Sequence, residues 1–91
     1  MQKILFVCHG NICRSPMAQY LLAHLAEERG LACRTQSAAT SREEIGNPIY
    51  PPARRKLREK GIPFGDHRAV QMTRQDYGAY DLLLAMPMYA T

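Results

Sequence analysis

Ile4-Leu5-Phe6-Val7-Cys8-His9-Gly10-Asn11-Ile12-Cys13-Arg14-Ser15-Pro16-Met17-Ala18-Gln19-Tyr20-Leu21-Leu22-Ala23 is the stretch from which the fold is read. Its first four residues are an uninterrupted apolar run bounded by polar residues, the pattern of a strand buried on both faces. Its last eight read as the opening turns of a helix, with Ser15 placed to cap it and Pro16 at the first helical position. Between them lies a short polar loop. A strand that turns through such a loop into a helix N-terminus gathers backbone N–H groups and the positive end of the helix dipole around one point, which makes an anion site.

The residue types in the loop suit that site. A cysteine at its mouth, Cys8, meets dipoles that favour its thiolate form. Arg14 supplies a planar fork of donors able to grip two oxygens of a phosphate at once. His9, Gly10, Asn11, Ile12, Cys13 and Arg14 are the candidate phosphate-binding residues. Gly10 is expected to take positive φ where the backbone approaches a ligand, and Asn11 is the next most tolerant residue there. The Ser15 hydroxyl can donate to the Cys8 sulfur and ease its departure. A thiolate beneath a bound phosphate is the apparatus of phosphate-ester hydrolysis through phosphocysteine, with Cys8, Arg14 and Ser15 as its catalytic candidates. His9 is read either as a rim residue or as a group that biases Cys8 toward thiolate.

Outward from the loop the chain alternates strand and helix. The expected strands cover residues 3–8, 32–37 and 81–86. The helices cover 16–29, with Met17, Tyr20, Leu21 and Leu25 on one face, and about 53–60, ended by Gly61. Thr73-Arg74-Gln75-Asp76 has the form of a capping box for a short helical turn. Alternation of this kind predicts an α/β three-layer sandwich with a central parallel sheet and right-handed crossovers. The anion site then falls at the carboxyl end of the first strand, where such sheets bind ligands. No repeats or linkers interrupt the 91 residues, which read as one domain whose pattern stops after the third strand.

Composition narrows the class. A chain of 91 residues buries only about 60–65% of its unfolded surface, but 46% hydrophobic residues exclude a disordered chain. Three cysteines, two of them inside the loop, argue against a secreted disulfide framework. With no signal peptide or membrane-length apolar run, the expected location is the cytoplasm. Much of the net charge of +4 sits in Arg54-Arg55-Lys56-Leu57-Arg58-Glu59-Lys60, read as a solvated helix face. No aromatics interleave with it, so no nucleic-acid partner is expected. His24 and His67 are read as surface or satisfied histidines with no metal, and Cys33 as a small buried hydrophobe.

The motifs resemble the low-molecular-weight protein tyrosine phosphatases, whose fold the thioredoxin-coupled arsenate reductases share. Besides the loop, the resemblance rests on Thr35-Gln36-Ser37-Ala38-Ala39-Thr40-Ser41, Ile45-Gly46-Asn47-Pro48, Lys60-Gly61-Ile62-Pro63, His67-Arg68-Ala69, Gln71-Met72-Thr73 and Tyr80-Asp81-Leu82-Leu83-Leu84-Ala85-Met86, in order. It implies that Cys8 is the nucleophile, that Arg14 binds phosphate, that Asn11 shapes the loop and that Ser15 aids thiolate departure. It also implies that Ser37 hydrogen-bonds Asn11 and that Cys13 is a reversible redox partner of Cys8. The implied substrate is a phosphotyrosine protein or small aryl phosphate, with inorganic phosphate or a similar oxyanion as ligand and no cofactor.

Several residues depart from the family pattern. Pro87 stands where an Asp follows the third strand, and Glu43 where an aromatic often lines the cleft. The family's general acid lies in an Asp-Pro loop nearer the C-terminus of a longer chain. Here the aspartates are Asp66, Asp76 and Asp81, none followed by Pro, and Asp66 is the residue left to consider for the role. Tyr50 and Tyr89 are candidates to replace the aromatic wall or to cover core. A family strand and helix that follow the third strand are also missing, so residues 81–89 are expected to offer an apolar edge for a homodimer or strand swap. Two readings stand beside the phosphatase. One is a non-catalytic oxyanion-binding or assembly fragment. The other is arsenate reduction, for which Cys33 would have to relay electrons.

Overall fold

The computed structural model of the chain describes residues 1–86. Three parallel strands, β1 (Gln2–Cys8), β2 (Cys33–Ala39) and β3 (Leu82–Ala85), form one sheet in the order β2-β1-β3. Helix α1 (Arg14–Glu28) connects β1 to β2, while α2 (Pro51–Glu59) and α3 (Asp76–Ala79) lie between β2 and β3. The chain leaves β1 toward one neighbour and later returns to its other side. The order therefore reverses at β1, and the crevice of such a sheet opens beyond the carboxyl end of the strand at the reversal. That strand ends at Cys8.

Boundaries differ from expectation for local reasons. β2 starts one residue later and ends two residues later, because Ala39 pairs with Cys8 and exchanges backbone bonds with Val70 and Met72, both 2.7 Å. α2 starts at Pro51 because two prolines with φ preset near −65° open a helix without losing any bond it would have made. Thr73 N–H donates to Asp76 Oδ2 (2.7 Å) ahead of α3, the returning half of the expected capping box.

The sheet's two faces are unlike. Leu5, Val7 and Ala38 are buried on one, against Met72, Tyr80 and Leu83. On the other, register sets Thr35 beside Ile4 and Ser37 beside Phe6, and both hydroxyls donate to Gln19 of α1, to its carbonyl and its side-chain oxygen. So α1 buries Ser15, Pro16, Gln19 and Ala26 against the sheet rather than the predicted apolar face. Met17 and Tyr20 turn to a second core built on Ile49, Ala53 and Leu57, and Leu21 and Leu25 are left exposed. A sheet that presents Thr and Ser to its helix is matched by a glutamine, which is why apolar periodicity misassigned the inner face. Cys33, expected to be buried, is half-exposed at the start of β2. On α2 the charged run is solvated around buried Ala53 and Leu57, and Arg58 stacks 5.6 Å from the Phe64 ring centre.

Candidate active site

The turn from β1 into α1 encloses a cavity of about 170 Å³ lined by Cys8, His9, Gly10, Asn11, Ile12, Cys13, Arg14 and Met86. All six residues of the predicted phosphate loop thus share one small recess with the cysteine. Helix α1 begins at Arg14, with Met17 N–H bonding Cys13 O (3.1 Å), and no side chain caps it. Ser15 is therefore not the cap predicted for it. It is the helix's second residue, fully buried, and its hydroxyl is committed to the cysteine instead. Pro16 moves to the third position, still within the turn whose N–H groups need no intrahelical partner.

One chain of hydrogen bonds runs through the loop. Val70 N–H can only donate, and it donates to Asn11 Oδ1 (3.0 Å). This leaves Asn11 Nδ2 to donate to Ser15 Oγ (2.8 Å). The Ser15 oxygen accepts there and lies 2.9 Å from Cys8 Sγ, to which its proton can be turned; between these two groups either can donate. Asn11 N–H also points at that sulfur, at 3.2 Å. With the Ser15 proton so turned, two donors converge on Cys8, the arrangement that stabilises negative charge on sulfur. Asn11 holds φ at 61° and is fully buried, so it, and not Gly10, is the left-handed residue of the loop. At Gly10 an added Cβ would meet the Glu44 side chain at 3.4 Å and Ile12 at 3.8 Å, so crowding does not demand a glycine there.

Ser37, expected to hold Asn11, donates to Gln19. It sits beside Phe6, two residues short of the loop, and meets the second turn of α1, while the Asn11 amide is taken up by Ser15 and Val70. Its support of the loop is one step removed, through the helix that carries Ser15. His9 lies at the rim, where Nε2 is 3.2 Å from Glu43 Oε2 and Ser41 Oγ donates to its carbonyl (2.9 Å). Burial pushes the Cys13 thiol up from its ordinary range, the neighbouring Cys8 adds to the rise, and Arg14 opposes it. Tyr50 is half-exposed and its N–H donates to Ile12 O (2.7 Å). Tyr89 and Pro87 lie outside the described residues. Asp66 pairs with Arg68 at 3.5 Å and does not line the recess.

His67 is a residue whose part in the site the sequence reading missed. Its Nε2 lies 3.0 Å from Asn11 O, and since a carbonyl only accepts, Nε2 carries the proton. Tyr20 meets its ring edge-on, centroids 6.5 Å apart. A histidine 56 residues from Asn11 in sequence gives no local signal. His67→Ala is expected to lower kcat/KM for an aryl phosphate about tenfold, the effect of losing one hydrogen bond worth ~1.4 kcal/mol that fixes the loop. Steady-state kinetics at constant pH test this, and an unaltered kcat/KM would show that the loop keeps its shape without the imidazole.

A cysteine at the switch point of a parallel sheet, beneath a loop that ends in an arginine at a helix start, sets a sulfur and a guanidinium around one small recess. A family model for low molecular weight phosphotyrosine protein phosphatase matches residues 3–90. Over 87 residues the chain is 41% identical to the low molecular weight phosphotyrosine protein phosphatase of Pongo abelii, covering 93% of this chain and 54% of that one. It is 41% identical to the Bacillus subtilis low molecular weight protein-tyrosine-phosphatase YfkJ over 88 residues, covering 94% and 56%. The crystal structure of YfkJ superposes with a TM-score of 0.93 at 40% identity, over 97% of this chain and 57% of that one. The chain belongs to the low molecular weight phosphotyrosine protein phosphatase family. It spans about half the length of the curated relatives it matches.

Proposed function

We propose that these residues form the nucleophile-bearing part of a protein tyrosine phosphatase that hydrolyses phosphate monoesters through phosphocysteine. The observation that carries this reading is the hydrogen-bonded chain Val70–Asn11–Ser15–Cys8, which brings a hydroxyl and a backbone N–H to one sulfur. The Cys8 thiolate attacks phosphorus in line, forming S–P as the P–O bond to the aryl group breaks. Loop amides and the Arg14 guanidinium hold the three equatorial oxygens. Water then attacks phosphorus, S–P breaks, and the Ser15 proton stabilises the departing thiolate. Inorganic phosphate leaves. A phosphotyrosine protein or small aryl phosphate is the substrate class, and free phosphate or a similar oxyanion competes for the cradle.

Cys13, in the same recess, is the group with which an oxidised Cys8 would form a reversible disulfide. Three free cysteines suit a reducing compartment, and the cytoplasm is the proposed location. Among the described residues no helix is long and apolar enough to cross a membrane. An arsenate relay through Cys33 finds no geometric support. Cys33 pairs with Gln2 at the opposite end of β1 from Cys8, six residues or about 20 Å away.

Among the described residues no carboxylate lines the recess. Where no carboxylic acid protonates the leaving group, catalysis forgoes a contribution of about 10²–10⁴-fold that matters most for poor leaving groups. Turnover of p-nitrophenyl phosphate is the test of the reading, with phosphotyrosine peptide as the second substrate. Hydrolysis of the first, competed by inorganic phosphate, with the second slower by roughly 10² or more, is the expected result. Phosphate binding with no hydrolysis of either substrate would leave the non-catalytic oxyanion-binding reading in its place.

A further inference from the structure

The basic run on α2 does not present all of its charges to open solvent. Arg54 and Arg58 stand one helical turn apart and so are neighbours on one side of the helix. Together with Phe64, Asp66 and His67 they line a recess of about 120 Å³, which shares no lining residue with the catalytic one. Arg54 is half-buried. The Arg58 guanidinium lies 5.6 Å from the centre of the Phe64 ring, and that ring is held in turn by an edge contact with Tyr20 (6.3 Å). A guanidinium stacked by its face keeps its N–H edges free to donate. Among the described residues neither arginine has an ion-pair partner, since Glu59 is taken by Lys56 (3.6 Å) and Asp66 by Arg68 (3.5 Å). His67, also on the lining, is the residue whose Nε2 donates to Asn11 O in the catalytic loop.

We infer that this recess is a second oxyanion site, in which Arg54 and Arg58 hold one phosphate-type dianion, either free phosphate or a phosphoryl group carried on a peptide side chain. Charge, shape and size select that ligand. Two guanidiniums without a carboxylate partner are balanced by the charge of about −1.5 to −2 that a phosphoryl group carries near neutral pH. Each guanidinium offers a planar fork that matches two oxygens of a tetrahedral group, and two forks can share one phosphate. Pockets for small organic ligands run to about 300–1,000 Å³, so 120 Å³ suits a single tetrahedral group and excludes a nucleotide or a sugar. Asp66 is the lining group that opposes an anion. Its side chain is 83% exposed and lies against Arg68, so its charge is both screened and balanced. Stacking on Phe64 and the half-burial of Arg54 order the two donors before a ligand arrives, which lowers the entropy cost of binding.

The test titrates the 91-residue chain with inorganic phosphate, followed by NMR at the Arg54 and Arg58 Nε–H resonances and at the backbone amides of Gly10 and Ile12. Two separate saturation curves are expected, the arginine curve with a Kd on the order of 1 mM. Arg54→Gln and Arg58→Gln keep much of the aliphatic stem and remove the fork. Each should weaken the arginine curve, read at the remaining arginine, at least about fivefold while leaving the loop curve unchanged. Arg55→Gln removes the same charge from an exposed neighbour outside the recess and should change neither curve. Arginine resonances that do not saturate would overturn the site, and so would an equal loss in Arg55→Gln, which would mark non-specific attraction to a basic helix. Silent loop amides beside a saturating arginine curve would count against the catalytic cradle alone, so the two sites fail separately. A phosphoserine peptide titrated in parallel distinguishes the sources. Tighter binding than inorganic phosphate at Arg54 and Arg58 would assign the recess to a phosphorylated protein, and binding no tighter would assign it to the free ion.

Discussion

Replacing Cys8 by serine is expected to reduce turnover of p-nitrophenyl phosphate to background while inorganic phosphate still binds. The loss should be on the order of 10⁴-fold or more, as when an enzyme's attacking atom is removed. A serine hydroxyl in this recess would face the Ser15 hydroxyl and the Asn11 N–H, neither of which is a base that could take its proton. Sulfur is also intrinsically the stronger nucleophile of the two. Binding should survive because the loop amides and Arg14 are untouched. Calorimetry with phosphate, paired with steady-state kinetics, separates the two effects. Steady-state turnover by Cys8→Ser would remove the phosphocysteine mechanism, and lost phosphate binding would show that the sulfur itself organises the cradle.

The loop was legible in the sequence because its chemistry is local. Strand, turn and helix follow one another between Ile4 and Ala23, and the recess contains the residues that this run names. Parallel topology was legible too, since alternating strands and helices leave few other arrangements. Contacts that join distant parts of the chain were not. Val70 and His67 fix Asn11 from 59 and 56 residues away, and neither residue type advertises that task. The inner face of α1 was misread for a related reason. Apolar periodicity finds a helix's buried stripe only when the partner surface is apolar, and here Thr35 and Ser37 oppose Gln19. The leucines that periodicity selected, Leu21 and Leu25, are the ones left exposed. Ser15 illustrates a third limit: a serine ahead of a proline is a natural cap, yet its hydroxyl has a stronger claim on it two residues inside the helix.

Asn11→Ala should be the most damaging substitution that leaves the reacting groups in place. Three losses fall together at this residue. The Val70 N–H loses its acceptor, and an unsatisfied, part-buried donor costs about 1–3 kcal/mol. Ser15 Oγ loses the donor that oriented it beside Cys8. Alanine must also hold φ near 61°, where a Cβ with no compensating side-chain bond costs roughly 1–2 kcal/mol. The sum is roughly 2–5 kcal/mol, and for a domain of this size each kcal/mol moves Tm by about 4–8 °C. A fall of about 10 °C or more in thermal unfolding is the expected result, with kcat for p-nitrophenyl phosphate lowered at least about tenfold. Asn11→Gly separates the causes. Glycine accepts positive φ freely, so it should recover the strain component of Tm while restoring none of the activity, because the side-chain bonds to Ser15 and Val70 are still gone. If glycine instead restored kcat, backbone shape alone would organise the cysteine, and the hydrogen-bonded chain through Ser15 would carry none of the catalytic weight given to it.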